Sequence, residues 1–559
     1  MKSFNNFLFL IILLILLIPS QFIMLKEQLY PSHDSLYHIG RIEEFHKAFS
    51  LGQIPPRLAP TILNSIGYPL FVVNYQLPYY FAEIFMQIFG NPTIAFKSIM
   101  SITFILSAVF AFLVFRNFSS HIASLTGAIV FSYLPYRFAN IYQRGSLGES
   151  VAIMFVPLMI LAIYNVNRRT KFSIVLLTLS VFGLITSHTI VFLIFLPFFV
   201  LYSLIILKVK KNSLIRIVLA TALGISLASF QLLPAVFEKK YMAFDQNLLS
   251  LFDDHFISIP QLLRIPMEGI NIGTPIQVGI TSILVFSLST IFLIYKSNSQ
   301  TAFYSERKNS GINAGGETNF ERRSENHSLQ AVGIYLFFAL ISFFFVTRFS
   351  IFFWENLTVL AYILYPWRFL SVIVTVVAFL TVILVDNLKL KRLLAVLIIF
   401  LSIYTSRHYF LKPTQLEHNP PTATLTTQNE FDNIWVTEET FNTRPVVTDT
   451  SNAIISNLVK SPFSISFKTN TKAPTNFTVR KMYFPGWQVK VNGQDYPIEI
   501  KDGLISFDLP SGSWQIEMKF SESPLRKTAN LITVLSFAVL ILLLVKKPKF
   551  FSKLNVLRV

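Results

Sequence analysis

The chain has 559 residues, 53% of them hydrophobic and 14% charged, with a mean hydropathy of +0.56; soluble domains do not approach this balance, so the protein is polytopic and membrane-embedded. A formal charge of +18 would suggest nucleic acid for a soluble chain, but here the basic clusters flank apolar runs of about 20 residues, where they set orientation, and no nucleic-acid partner is expected. The absence of cysteine excludes a disulfide framework, a thiolate metal site and a cysteine nucleophile.

In chain order, residues 7–24 predict an uncleaved first transmembrane helix, because the apolar core is long and no small-x-small cleavage site precedes Pro31. Polar chemistry begins immediately after it. A helix from about Asp34 to Ser50 places Asp34, His38, Arg41 and Phe45 on one face, and Gly52 with Pro55-Pro56 ends it. The following NSIGYPLFVVNYQLPYYF mixes aromatics with asparagine and proline and suits a membrane surface. Further spans are expected near 93–115, 121–138, 150–166, 171–187, 189–207, 214–234, 278–295, 330–349, 366–386, 393–410 and 528–545, twelve with the first. If 70–90 is re-entrant or surface-lying, the basic clusters after 166, 207, 388 and 545 all fall inside. The polar stretch 296–328 reads as a flexible cytoplasmic linker.

The same parity gathers the unusual polar residues outside: the 33–69 loop, PYRFANIYQRGSLGES at 135–150, Ser187-His188, the 235–277 loop with Asp253, Asp254, His255, Arg264 and Glu268, Arg348 to Glu355, and YPWR at 365–368. Charge at membrane depth is costly, so Arg137, Arg144, Glu149 and Arg368 are expected to pair with each other or to bind something charged. Interfacial anchoring is the structural alternative for any one of them. His33 and His38 are five apart and do not share a helical face, which argues against zinc. Residues 411–526 differ in kind: a Pro- and Thr-rich passage gives way to alternating strands around the turn Asn492-Gly493, predicting a small external β-sandwich. A last helix and a basic cytoplasmic tail occupy 527–559.

HDSLYHIGRIEEF, IPPRLAP, GYPLFVVNYQLPYY, PYRFANIYQRGSLGE, the Ser-His pair and YPWRFL resemble, in the same order over about 1–410, the bacterial membrane proteins called 6-pyruvoyl-tetrahydropterin synthase-related. YFPGWQVKVNG resembles the tail of YfhO-type membrane proteins. The inherited family name refers to a small soluble enzyme with a three-histidine zinc site, which nothing here supplies. The architecture resembles the GT-C glycosyltransferases, which implies a mostly α membrane domain over 1–410 with an external loop at 25–92, in a bacterial cytoplasmic membrane. That resemblance further implies a polyprenyl-phosphate sugar donor and a glycan, lipid or protein acceptor on the external face.

In that class an acid in the first external loop is the base, a place that Asp34 occupies. A carboxylate at a helix N-terminus near Arg41 should stay ionised and accept the acceptor's proton; a plain N-cap beside an ion pair is the structural alternative. Arg368, then Arg144, Arg137 and Arg57, are candidates to hold the departing phosphate. His38, Glu149 and His188 would orient Asp34 or the acceptor. No cofactor is expected; Asp253-Asp254 could share a divalent cation with Asp34, but adjacent residues on an extended chain point apart, which argues against it. A lipid-linked sugar transporter or flippase and a noncatalytic envelope-polymer assembly protein are the alternative functions.

Overall fold

The computed structural model describes residues 2–166, 171–245, 250–264, 276–310, 317–411, 431–441, 446–448 and 453–545. Its longer helices are α1 (Lys2–Leu17), α2 (Ser35–Ser50), α3 (Leu77–Phe89), α4 (Pro92–Phe115), α5 (His121–Tyr133), α6 (Leu147–Val166), α7 (Lys171–Leu201), α8 (Lys211–Leu227), α9 (Ser229–Phe237), α10 (Ile280–Ser310), α11 (Glu317–Val346), α12 (Leu370–Asn387), α13 (Lys391–Leu411) and α14 (Pro524–Val545). Local chemistry sets several boundaries. Asn91 caps α4 by accepting from the Thr93 and Ile94 amides, with Pro92 at the first helical position, and Gly90 closes α3 at φ 60°.

Nine helices among the described residues are long and apolar enough to cross a membrane, or ten if α8 and α9, bent by 73° at their junction, form one span. The twelve expected spans are corrected in three places. Segments 171–187 and 189–207 run on as a single helical stretch, broken only where His188 leaves helical geometry at φ −167° and ψ 94°. The expected span 121–138 divides into α5, 13 residues long, and a short helix at Pro135–Phe138, because Pro135 has no amide proton to continue the ladder. The 214–234 span is the bent pair. α3 has 13 residues, about 20 Å at the α-helical rise, and does not cross a full hydrocarbon core.

The expected linker at 296–328 is also corrected, since α10 runs to Ser310 and α11 begins at Glu317. The Pro- and Thr-rich passage at 412–430, the basic tail after 545, Arg168, Arg169 and Glu268 lie outside the described residues.

Beyond α13 the backbone changes to antiparallel strands. They are β1 (Val447–Thr448), β2 (Ala453–Ser461), β3 (Ser464–Thr471), β4 (Thr475–Met482), β5 (Trp487–Val491), β6 (Gln494–Tyr496), β7 (Glu499–Lys501), β8 (Leu504–Leu509) and β9 (Gly512–Phe520). Two sheets form, in the orders β1-β4-β8-β7 and β2-β3-β9-β5-β6. Asn492 and Gly493, at φ 50° and 84°, make the β5–β6 hairpin turn, and Val491 pairs with Gln494. Alternation along β5 and β9 buries Val489, Val491, Ile516 and Met518 between the sheets. Strands β2 and β3 carry little signal in the sequence, because β2 groups its apolar residues side by side, with a register shift between Ser456 and Val459, and β3 is mostly Ser, Thr, Asn and Lys.

The sandwich is not a separate bead. Leu58, from the loop after α2, is fully buried in its core, while Phe431, Met482, Phe484 and Leu504 belong to the core of the helical region.

Candidate functional site

Arg144 is placed by a π-helical turn, Ala139–Arg144, that ends at Gly145 with φ 65°. A Cβ at Gly145 would collide with the Ser32 hydroxyl, so glycine lets the 32–35 backbone lie against this turn. The His33 and Asp34 amides then donate to the Gln143 and Arg144 carbonyls at 2.9 and 2.8 Å. This pairing fixes the start of α2 against the turn. The Asp34 side chain makes no capping bond to its own helix, and it lines a cavity of about 460 Å³. Asp34 thus holds the N-cap position of α2 without a capping side-chain bond.

His38 and Arg41 follow Asp34 on the same face of α2 and line the same cavity, while Phe45 continues the stripe into the core against Phe71 and Tyr80. His38 Nδ1 lies 3.1 Å from the Tyr79 hydroxyl. Burial, with Arg41, Arg144 and His188 around it, holds this imidazole well below the usual histidine range, so it is neutral near pH 7. Arg144, His188 and Arg368 complete the wall from the π-turn, the break in α7 and the 3-10 turn Pro366–Phe369 before α12.

Behind the wall, Glu149 is fully buried. It accepts from Tyr136 at 2.5 Å, Asn140 at 2.7 Å and Arg144 at 2.8 Å, and stands 3.6 Å from Arg368 Nε. One carboxylate thus anchors two guanidiniums. Both also face the Tyr365 ring, at 5.6 Å for Arg144 and 4.8 Å for Arg368. Two buried nitrogens on the lining residues, Arg368 Nε and His188 Nδ1, have no hydrogen-bond partner. The charged lining residues are Arg41, Arg144, Lys239, Arg368 and Asp34. With Glu149 behind, the site keeps a cationic excess suited to an anionic group.

Two predicted residues lie elsewhere. Arg57 is fully buried and is used up by Glu522 at 3.0 Å, the Phe230 carbonyl at 2.9 Å and Asn530 at 3.2 Å. Arg137 donates to Ser107 at 2.8 Å between the Phe104 and Phe131 rings. Neither lines the cavity. Asp253 pairs with Arg348 at 3.0 Å, and neither Asp253 nor Asp254 lines the cavity. His46 is bound to Glu83 at 3.0 Å. Among the described residues no group of three or more His, Asp or Glu side chains is arranged to hold a metal ion.

The model of the family described as "6-pyruvoyl-tetrahydropterin synthase related domain; membrane protein" matches residues 73–411. The chain belongs to this family. The family match includes Arg144, Glu149, His188 and Arg368 but begins after Asp34, His38 and Arg41. An uncharacterized protein of Lactococcus lactis subsp. cremoris (strain MG1363) is 26% identical over 242 residues, 41% of this chain, and the match spans 39% of that relative's length. Two crystal structures of ArnT from Cupriavidus metallidurans show a weak likeness at 10% identity. The one bound to undecaprenyl phosphate has a TM-score of 0.29 over 67% of this chain and 77% of that one, and the apo form 0.28 over 66% and 77%.

In this family member several lining residues carry no signal in isolation. Tyr37 was within reach, three residues after Asp34 on a helix. Gln231, Lys239, Tyr362 and Phe431 come from distant segments and meet only in the folded chain. Phe431 lies 5.3 Å under the Arg41 guanidinium, so the segment leading into the sandwich supplies part of the cavity wall.

Proposed function

We propose that the protein is a membrane glycosyltransferase that moves a sugar from a polyprenyl-phosphate donor to an envelope glycan, lipid or protein acceptor on the external face. The observation that carries the reading is that a carboxylate not engaged in capping, Asp34, shares one cavity with Arg41 of α2 and with Arg144 and Arg368 at the ends of membrane-spanning helices. Asp34 accepts the proton of an acceptor hydroxyl as its oxygen attacks the anomeric carbon. The bond from that carbon to the phosphate oxygen breaks, and the phosphate leaves with the electron pair. Arg368 and Arg144, held in place by Glu149, stabilise the charge that grows on the leaving phosphate. Neutral His38, one turn beyond Asp34, orients the acceptor without competing for the phosphate.

The test is transfer from a polyprenyl-phosphate sugar by membranes containing Asp34→Asn. Loss of a positioned general base removes about 10²- to 10⁴-fold in rate, while binding of the donor lipid persists. Full transfer by Asp34→Asn would remove this mechanism.

A further inference from the structure

Leu193, Leu232, Ala235, Val236 and Val359 give the cavity an apolar stretch of lining, and part of that stretch reaches the surface of the protein. Val236 on α9 and Val359 on the short helix Thr358–Ala361 both line it, and they are 51% and 55% exposed. Their neighbours Phe237, Leu357 and Phe352 are exposed as well. At the ends of membrane-spanning helices an exposed apolar surface of this kind suits contact with lipid. One turn on from each valine, on the same faces, Lys239 and Tyr362 close the gap. The Lys239 ammonium donates to the Tyr362 hydroxyl and lies 4.0 Å over its ring. Asp245 joins them, 3.2 Å from Lys239 and 3.0 Å from Tyr362.

The cavity volume, about 460 Å³, is in the ordinary range for a small ligand, roughly 300–1,000 Å³. It accommodates a head group, and a long hydrocarbon chain attached to that group must leave it. Phe431 and the 239–245 segment close another side. Ala243 donates to the Asp432 carbonyl at 2.8 Å, Ile434 donates to the Tyr241 carbonyl at 3.1 Å, and the Tyr68 hydroxyl holds the Asp432 carboxylate at 2.7 Å.

We propose that the slot between Val236 and Val359 is where the hydrocarbon chain of a lipid phosphate monoester leaves the cavity, with its phosphate at Arg144 and Arg368 and with Lys239, Asp245 and Tyr362 forming a latch across the slot. This rests on the reading of the cavity as a lipid-phosphate site, which supplies the charge complementarity. Release of the latch admits the lipid sideways from the membrane, with no need to lift the sandwich.

Because the chain lacks cysteine, single cysteines report on the slot. Val236→Cys, Val359→Cys and, as a control on α13, Leu397→Cys, where leucine is 50% exposed, are reacted in the full-length protein in nanodiscs with an N-alkyl maleimide. Farnesyl phosphate is expected to slow labelling at the first two at least fivefold and to leave Leu397→Cys unchanged. Farnesol and inorganic phosphate are expected to protect neither. Tyr362→Phe is expected to speed labelling of Val236→Cys in the lipid-free protein. Equal protection by farnesol or by inorganic phosphate, an equal effect at Leu397→Cys, or no effect of farnesyl phosphate would overturn the slot; an unchanged rate in Tyr362→Phe would overturn the latch. Protection without sugar transfer would keep the slot and remove the transferase reading, and transfer without protection would do the reverse.

Discussion

Glu149 is fully buried at the head of α6 with two guanidiniums aimed at it. The desolvation of a buried charge is offset only by close partners, and removing one partner leaves the others uncompensated. Glu149→Gln would leave Arg144 and Arg368 sharing a neutral amide, and is expected to cost about 3–5 kcal/mol of stability. Thermal unfolding in detergent, compared with a surface control such as Glu517→Gln, measures it; an unchanged midpoint would mean that the carboxylate is not the anchor. The face of α2 was legible in the sequence because helical periodicity alone brings Asp34, His38 and Arg41 together. The fates of Arg57 and Arg137 were not. A guanidinium beside an apolar run looks the same whether it faces a ligand or a carboxylate 465 residues away, as Arg57 faces Glu522.

At the scale of elements, the contact of β4 with the loop after α2 decides how the sandwich sits. The Met482 amide donates to the Ile66 carbonyl at 2.8 Å, and Lys481 Nζ donates to the Ser65 carbonyl at 2.7 Å and the Pro462 carbonyl at 3.1 Å. Burial, with Arg480 and Lys460 adding repulsion, pushes this lysine down from 10.5 to about 8. A neutral amine still has two hydrogens for the two carbonyls. The unfolded chain keeps the proton to higher pH than the folded one, so stability is lowest below pH 8 and rises as pH climbs from about 8 towards 10.5, by on the order of 3 kcal/mol. Lys481→Met should flatten that rise in a pH series of unfolding midpoints. An equal slope in the variant would assign the effect to other groups. The hairpin at Asn492-Gly493 was legible from the turn residues, whereas the docking of β4 on residues 63–66 depends on contacts that no local pattern encodes.

Across the whole molecule, the last helix, the sandwich and the bent pair α8–α9 are joined by one buried ionic cluster. Arg526 is fully buried, 3.1 Å from Glu238 and 3.7 Å from Glu522, and Glu522 also binds Arg57. Ser523 donates to Glu238 at 2.7 Å. Two guanidiniums and two carboxylates balance, and they tie the end of α9, next to the proposed slot, to the start of α14. Glu238→Gln is expected to loosen this junction more than Glu522→Gln, because Glu238 is almost wholly buried and Glu522 is 25% exposed. Limited proteolysis between the sandwich and α14 reads the difference. Equal cutting rates in both variants and the parent would show that apolar packing alone holds the junction.

By itself the sequence determined what depends on composition and local period: a membrane solvent, most of the spanning helices, the polar face of α2, and a strand-rich unit with its Asn-Gly hairpin. These follow from hydrophobic length and from turn chemistry, which act between near neighbours. Only the tertiary structure decided which arginines face the cavity, that α7 breaks at His188, that Phe431 and Lys239 help to enclose the site, and that the sandwich shares its core with Leu58. The arginines turn on which buried polar group finds a partner far along the chain, and Leu58 and Phe431 on apolar packing between distant segments. Burial, more than residue type, assigns those partners.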